Sequence, residues 1–140
     1  MRTEKRIPEF LKLINMDMFC DTYGIPGISK LSRKTITYWK NNPDMRFGQV
    51  LINLGLAPDS MRLWADEDDM ILINQGHPPE NVLFWGQNYD KNGDRLPAVN
   101  WVLISKMNTE HIKKVLAFMT NRLPARYQTA FSNELQKRGA

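Results

Sequence analysis

Val82-Leu83-Phe84-Trp85, then Tyr89-Asp90-Lys91-Asn92-Gly93-Asp94, then Trp101-Val102-Leu103-Ile104 is the stretch that decides the fold class. The outer runs are rich in strand formers. The Asn-Gly step between them is a strong short-range hairpin signal. One β-hairpin over residues 82–104 follows from this reading. Pro97 cannot donate to a ladder, so the returning strand is expected to carry a bulge or to begin after it.

Both flanks of the hairpin read as helix. Upstream, one helix is predicted from near Pro8 through Phe10, Leu11, Leu13, Ile14, Met18 and Phe19 to the stop at Tyr23-Gly24. Ser32 is a good N-cap for a second helix reaching about Asn41, with Leu31 and Ile36 placed as a hydrophobic staple. Asn42-Pro43-Asp44 reads as an immediate restart, and the third helix is expected over Asp44–Leu54 before Gly55. A short helix follows across Asp66–Asn74, closed by Gln75-Gly76. Downstream, Asn108 or Thr109 caps a helix carrying Ile112, Val115, Leu116 and Met119. Pro124 opens a last one with Tyr127, Phe131 and Leu135 at intervals of four. The expectation is a small, helix-dominated α+β protein with five or six helices, forming one compact domain over residues 1–140. Its parts are a helical region 8–75, the hairpin 82–104 and C-terminal helices 108–138.

Composition sets the outer limits. The chain has 140 residues, 42% apolar and 24% charged, which suits a globular domain and excludes a disordered or collagenous one. No apolar run approaches the ~20 residues of a membrane span, and no secretory signal is read at the N-terminus. Cys20 stands alone, so no internal disulfide forms and the expected compartment is a reducing cytoplasm. The net charge of +4 is segregated: +4 over residues 1–46, −5 over 47–95 and +5 over 96–140. Such blocks raise the question of a nucleic-acid partner.

Three groups of residues are candidates for function. On a helical wheel, Arg46, Gln49 and Asn53 form a narrow polar strip between apolar flanks. Such a strip must find partners, either inside the fold with an acid from Asp44 or the 66–69 run, or on an anionic ligand or partner carboxylate gripped by the Arg46 fork. Arg33, Thr37 and Lys40 share one face of the second helix, with Lys30 and Lys34 nearby, as a phosphate-binding helix would. The connection from Gly24 to Leu31 is, however, longer than a helix-turn-helix uses. Tyr89, Lys91 and Arg95 stand on the hairpin tip as a partner surface. The run Asp66-Glu67-Asp68-Asp69 lacks the spacing of a calcium loop and reads as a solvated helix start. His77 and His111 lie apart, and no Walker loop, dinucleotide fingerprint, nucleophile elbow or zinc motif is present. No catalytic residue, metal ligand or cofactor is assigned, and the chain is not expected to be an enzyme.

The stretch Trp39-Lys40-Asn41-Asn42-Pro43-Asp44-Met45-Arg46-Phe47-Gly48-Gln49-Val50-Leu51-Ile52-Asn53 resembles a group of small phage and prophage proteins of unassigned function. Their shared pattern is a tryptophan, then Pro-Asp-x-Arg-Phe-Gly-Gln, then a leucine and an asparagine, with an aromatic and acids further on, where Trp64 and Asp66–Asp69 fit loosely. Met107-Asn108-Thr109-Glu110-His111-Ile112-Lys113-Lys114-Val115-Leu116 is similar to a segment that follows a hairpin in many small phage proteins. The resemblance implies a phage origin, a compact fold and, with it, the host cytoplasm. It implies no activity. The leading expectation is therefore a non-enzymatic accessory protein that binds a host or phage protein, for instance as an inhibitor of host defence or host machinery. The alternatives are a nucleic-acid-binding protein using the basic helix 32–41, and a small-ligand protein that sequesters a nucleotide near Arg46 and Gln49. The oligomeric state is left open.

Overall fold

A computed structural model describes residues 6–26, 28, 31–90 and 92–140. It is a small, helix-dominated α+β protein with a single two-stranded antiparallel hairpin. The described residues form eight α-helices rather than five or six. The chain divides into two compact units, Met1–Gly76 and His77–Ala140. Lys30 and Lys91 lie outside the described residues.

The first unit holds α1 (Arg6–Leu13), α2 (Met16–Tyr23), α3 (Arg33–Asn41), α4 (Phe47–Asn53), α5 (Met61–Ala65) and α6 (Asp68–Asn74). The long first helix expected from the apolar pattern is broken in two. Asn15 caps α2 by accepting from the Met18 amide. Its own backbone is bracketed by the Gln75 side chain, which accepts from Asn15 N at 3.0 Å and donates to Asn15 O at 3.2 Å. A primary amide thus satisfies the polar groups that the break exposes. α4 begins at Phe47, three residues later than expected. The Trp39 indole holds the Met45 carbonyl at 2.7 Å, and Met45 N donates to Asn42 O, so residues 42–45 are fixed as a turn. α5 was not anticipated at all; Ser60 caps it through the Leu63 amide.

Four buried rings fill the centre of this unit. Phe47 lies 5.0 Å from Phe10, 5.1 Å from Phe19 and 5.3 Å from Trp39, between ring centroids. α4 also crosses α5 closely. A Cβ on Gly48 would stand 2.1 Å from Leu63 O, so only glycine fits there.

The second unit contains β1 (Phe84–Tyr89), β2 (Arg95–Leu103), α7 (Thr109–Met119) and α8 (Ala125–Arg138), with a 3-10 turn at Pro79–Asn81. Pairing runs from Phe84–Leu103 to Gln87–Asn100, then shifts before Tyr89–Arg95. The expected bulge is therefore present, and Pro97 sits within β2, which tolerates it because every strand of a two-stranded sheet is an edge. Asp90 and Asp94 close the turn: Asp90 N donates to Asp94 O, and Gly93 N donates to Asp90 O with Gly93 at φ +85°. The connection thus ends on a left-handed glycine and is longer than a two-residue loop. Asn108 caps α7, and α8 runs from Pro124 to a left-handed Gly139.

α8 is anchored by buried carboxylates. Glu80, 1% exposed, meets Lys137 Nζ at 2.7 Å and accepts from Asn133. Burial alone would raise its pKa. Hydrogen bonds from Lys137, its own backbone and Asn133, with the Lys137 charge, outweigh burial and hold it below the usual value. Arg138 pairs with Glu134 at 2.7 Å and donates to Thr109 Oγ1 and Ser105 O. The last two cations of the chain are thereby committed internally.

Gly48→Ala should destabilise the first unit by about 1–3 kcal/mol, the range for overpacking. Chemical denaturation followed by far-UV circular dichroism checks this, and an unchanged midpoint would contradict the close α4–α5 contact.

Candidate functional site

The structure brings Arg46 and Gln49 together at the start of α4. Arg46 Nη2 meets Glu67 Oε1 at 2.7 Å, and Nη1 donates to Trp64 O and Ala65 O. Gln49 Oε1 accepts from Arg46 N at 3.2 Å, while its Nε2 reaches Trp64 O at 3.5 Å. An arginine has no acceptor with which to cap a helix. The free Phe47 amide is instead taken by Asp68 Oδ1 at 2.7 Å, in a buried bond across 21 residues. Asp68 and Asp69 are both buried, so the acidic run is not the solvated face its composition suggested. Asp66 accepts from the Tyr23 hydroxyl, and burial together with this neighbouring carboxylate drives the Tyr23 pKa upward. Asn53, one turn along α4 from Gln49, is exposed. The Arg46–Gln49 pair thus ties α4 to the 64–68 turn with the groups that a ligand would otherwise need.

The exposed side chains of α3 are arranged differently. Arg33, Lys34, Thr37 and Lys40 are all exposed, whereas Thr35 and Trp39 are buried on the opposite side. Arg33, Lys34 and Thr37 line a shallow groove of about 480 Å³ with Tyr38, Asn41 and Leu54.

The hairpin carries concavities on both faces. One is a polar groove of about 570 Å³ between the hairpin turn and the start of α7. Tyr89, Gln87, Asn108, His111 and Lys114 line it, and the Gln87 amide lies 3.2 Å from His111 Nδ1. Burial, helped by the Lys114 charge, lowers the His111 pKa, so the ring is neutral near pH 7. Arg95 is exposed, opposite Tyr89 in the ladder.

The other concavity is an apolar recess of about 320 Å³ bounded by Trp85, Gly86, Asn88, Val99, Trp101 and Tyr127. Gly86 faces Trp101 across the ladder. A Cβ there would lie 3.0 Å from Val99 Cγ1 and 3.2 Å from the Trp101 ring. The missing side chain is what lets these two groups lean over the sheet. Ile104 N donates to Leu83 O, which makes Leu83–Ile104 a hydrogen-bonded pair. By alternation, Gly86–Trp101 is a non-bonded pair whose N–H and C=O groups point outward from the hairpin. Tyr127 Oη, 3.4 Å from Phe84 O, marks that same outer edge of β1. Sequence reasoning placed Tyr89 and Arg95 at the tip but missed this recess. Its only local signal was a glycine within a strand pattern, which marks a close approach.

Among the described residues, no helix is long and apolar enough to cross a membrane. No family model, no curated protein and no solved structure matches the chain.

Two measurements follow from this geometry. Asp68→Ala should cost about 1–3 kcal/mol of stability, as loss of a buried hydrogen-bond partner does; Arg46→Ala, whose bonds are solvent-exposed, should cost about 0.5–1.5 kcal/mol, while Asn53→Ala stays within about 0.5 kcal/mol. Equal effects at all three positions, read from denaturation midpoints, would count against an architectural role for the pair. The lowered His111 pKa gives a pH signature. The unfolded chain binds a proton below its model value of 6.5 while the folded chain resists it. Stability is complete above that pH and falls as pH drops below it. Melting temperatures of His111→Gln between about pH 7 and pH 5 should therefore fall less steeply than those of the parent.

Proposed function

We propose that the chain is a non-enzymatic accessory protein of a phage that binds another protein through the open face of its hairpin. The observation that carries this reading is the apolar recess over Gly86, where Val99 is exposed and Trp101 and Tyr127 are half-buried. Its occupant is an extended segment of the partner. Such a segment lies along the edge of β1, meets the outward N–H and C=O of Gly86, and places one apolar side chain in the recess. Complementary charge favours an acidic flank on that segment. The second unit carries nine Lys and Arg against five Asp and Glu, and Arg126 lies over the Tyr127 ring at 5.5 Å. The phage origin rests on the Trp39–Asn53 resemblance. A host-directed role, including interference with host defence, is the form of action that origin suggests.

The nucleotide-sequestering alternative loses support from the internal commitments of Arg46 and Gln49.

Affinity capture from a nuclease-treated bacterial lysate, with Val99→Glu and an exposed Lys106→Glu control beside the parent, tests the reading. The parent and Lys106→Glu should retain a common partner that Val99→Glu releases by tenfold or more, a loss of about 1.4 kcal/mol. Identical recovery by all three would remove the recess from consideration.

A further inference from the structure

The geometry points to a second binding surface, on α3, for the sugar-phosphate backbone and an unstacked base of a single-stranded nucleic acid. Projected at 100° per residue, Arg33, Thr37 and Lys40 fall within about 60° of one another, with Asn41, Lys34 and Tyr38 extending the same arc. The opposite side is Thr35, Trp39 and half-buried Ile36, so the polar arc is the one turned to solvent. α3 holds three cations and no acid. Among the described residues no acid pairs with Arg33, Lys34 or Lys40.

Helix stability does not account for this placement. Two of the cations occupy the first turn, where the macrodipole disfavours positive charge. Arg33 and Lys40 are separated by seven residues, or about 10 Å along the axis, a span suited to non-adjacent phosphates of one strand. Between them the surface is concave. Tyr38 and Leu54 form an apolar wall to which Asn41 adds an amide.

A single strand fits better than a duplex. A recognition helix that reads the major groove must protrude, whereas α3 is flanked by the end of α4 at Leu54. An aromatic ring set beside backbone-tracking cations is the arrangement used for unpaired bases, which stack on it. This surface lies wholly within the first unit, and the hairpin recess within the second.

The test is fluorescence anisotropy of the full chain with a labelled oligothymidylate of about 15 nucleotides, a length that covers one such site. Three phosphate contacts predict about a 20-fold loss of affinity between about 50 and 200 mM salt. Arg33→Glu with Lys40→Glu should weaken binding at least tenfold and flatten the salt dependence of what remains. Tyr38→Leu keeps the apolar packing but removes the stacking face, so it should weaken binding roughly tenfold with the salt slope intact. Circular dichroism confirms that each variant is folded. Absence of binding by the parent at the lower salt would overturn the proposal. So would unchanged binding by the folded double-charge variant, or a duplex bound as tightly as the single strand.

Discussion

The first unit depends on how the amide of Phe47 is satisfied. α4 is only seven residues long, too short to persist without tertiary support. The residue before it, Arg46, offers no acceptor. Asp68 supplies one from the start of α6, where an acid is also favoured by that helix's own dipole. One buried carboxylate thereby serves two helix starts. The Phe47 ring meanwhile occupies the middle of the aromatic cluster, so moving its backbone would disturb Phe10, Phe19 and Trp39 together. Arg46, Gly48 and Gln49 each secure the same junction, by ion pair, close approach and hydrogen bond respectively. The Arg-Phe-Gly-Gln run at residues 46–49 is, in this structure, a joint.

The second unit handles its buried acids by pairing rather than by capping. Glu80 and Glu134 would be costly to bury alone, and Lys137 and Arg138 neutralise them at the far end of α8. The basic block at the end of the sequence is accordingly not a uniform patch. Part of its charge is spent on holding α8 to the Pro79–Asn81 turn and to the start of α7. The segregation of charge along the chain thus maps only partly onto the surface; among the described residues, α3 carries three cations with no acid paired to them.

Features set by local signals were legible. The caps at Ser32 and Asn108, the glycine stop at Gly24, and the hairpin itself each depend on a few neighbouring residues. What was not legible rests on distant partners. The break at Asn15 is stabilised by Gln75, sixty positions away, and the late start of α4 needs Trp39 and Asp68. α5, which Ser60 caps, is too short for an apolar period to reveal it. The polar strip at Arg46 and Gln49 was recognisable as needing partners, and an acid of the 66–69 run was among those foreseen. Which acid takes which donor is set by the turn at 64–68. The recess over Gly86 requires strand register, which no single residue encodes.

The turn at Asp90–Asp94 closes itself. The Asp90 carboxylate accepts from Asn92 N and Asp94 N while its amide and carbonyl join Asp94 and Gly93. None of these bonds needs the helices of its unit. A hairpin of this kind can zip on the order of 1–10 μs, before the chain has brought Phe131 against Trp85 or Lys137 to Glu80. The order of assembly in the second unit would then run from the strands outward, with α8 docking last onto a template already formed. On a ribosome that order matches the order of synthesis, since the hairpin emerges before the helix that covers it.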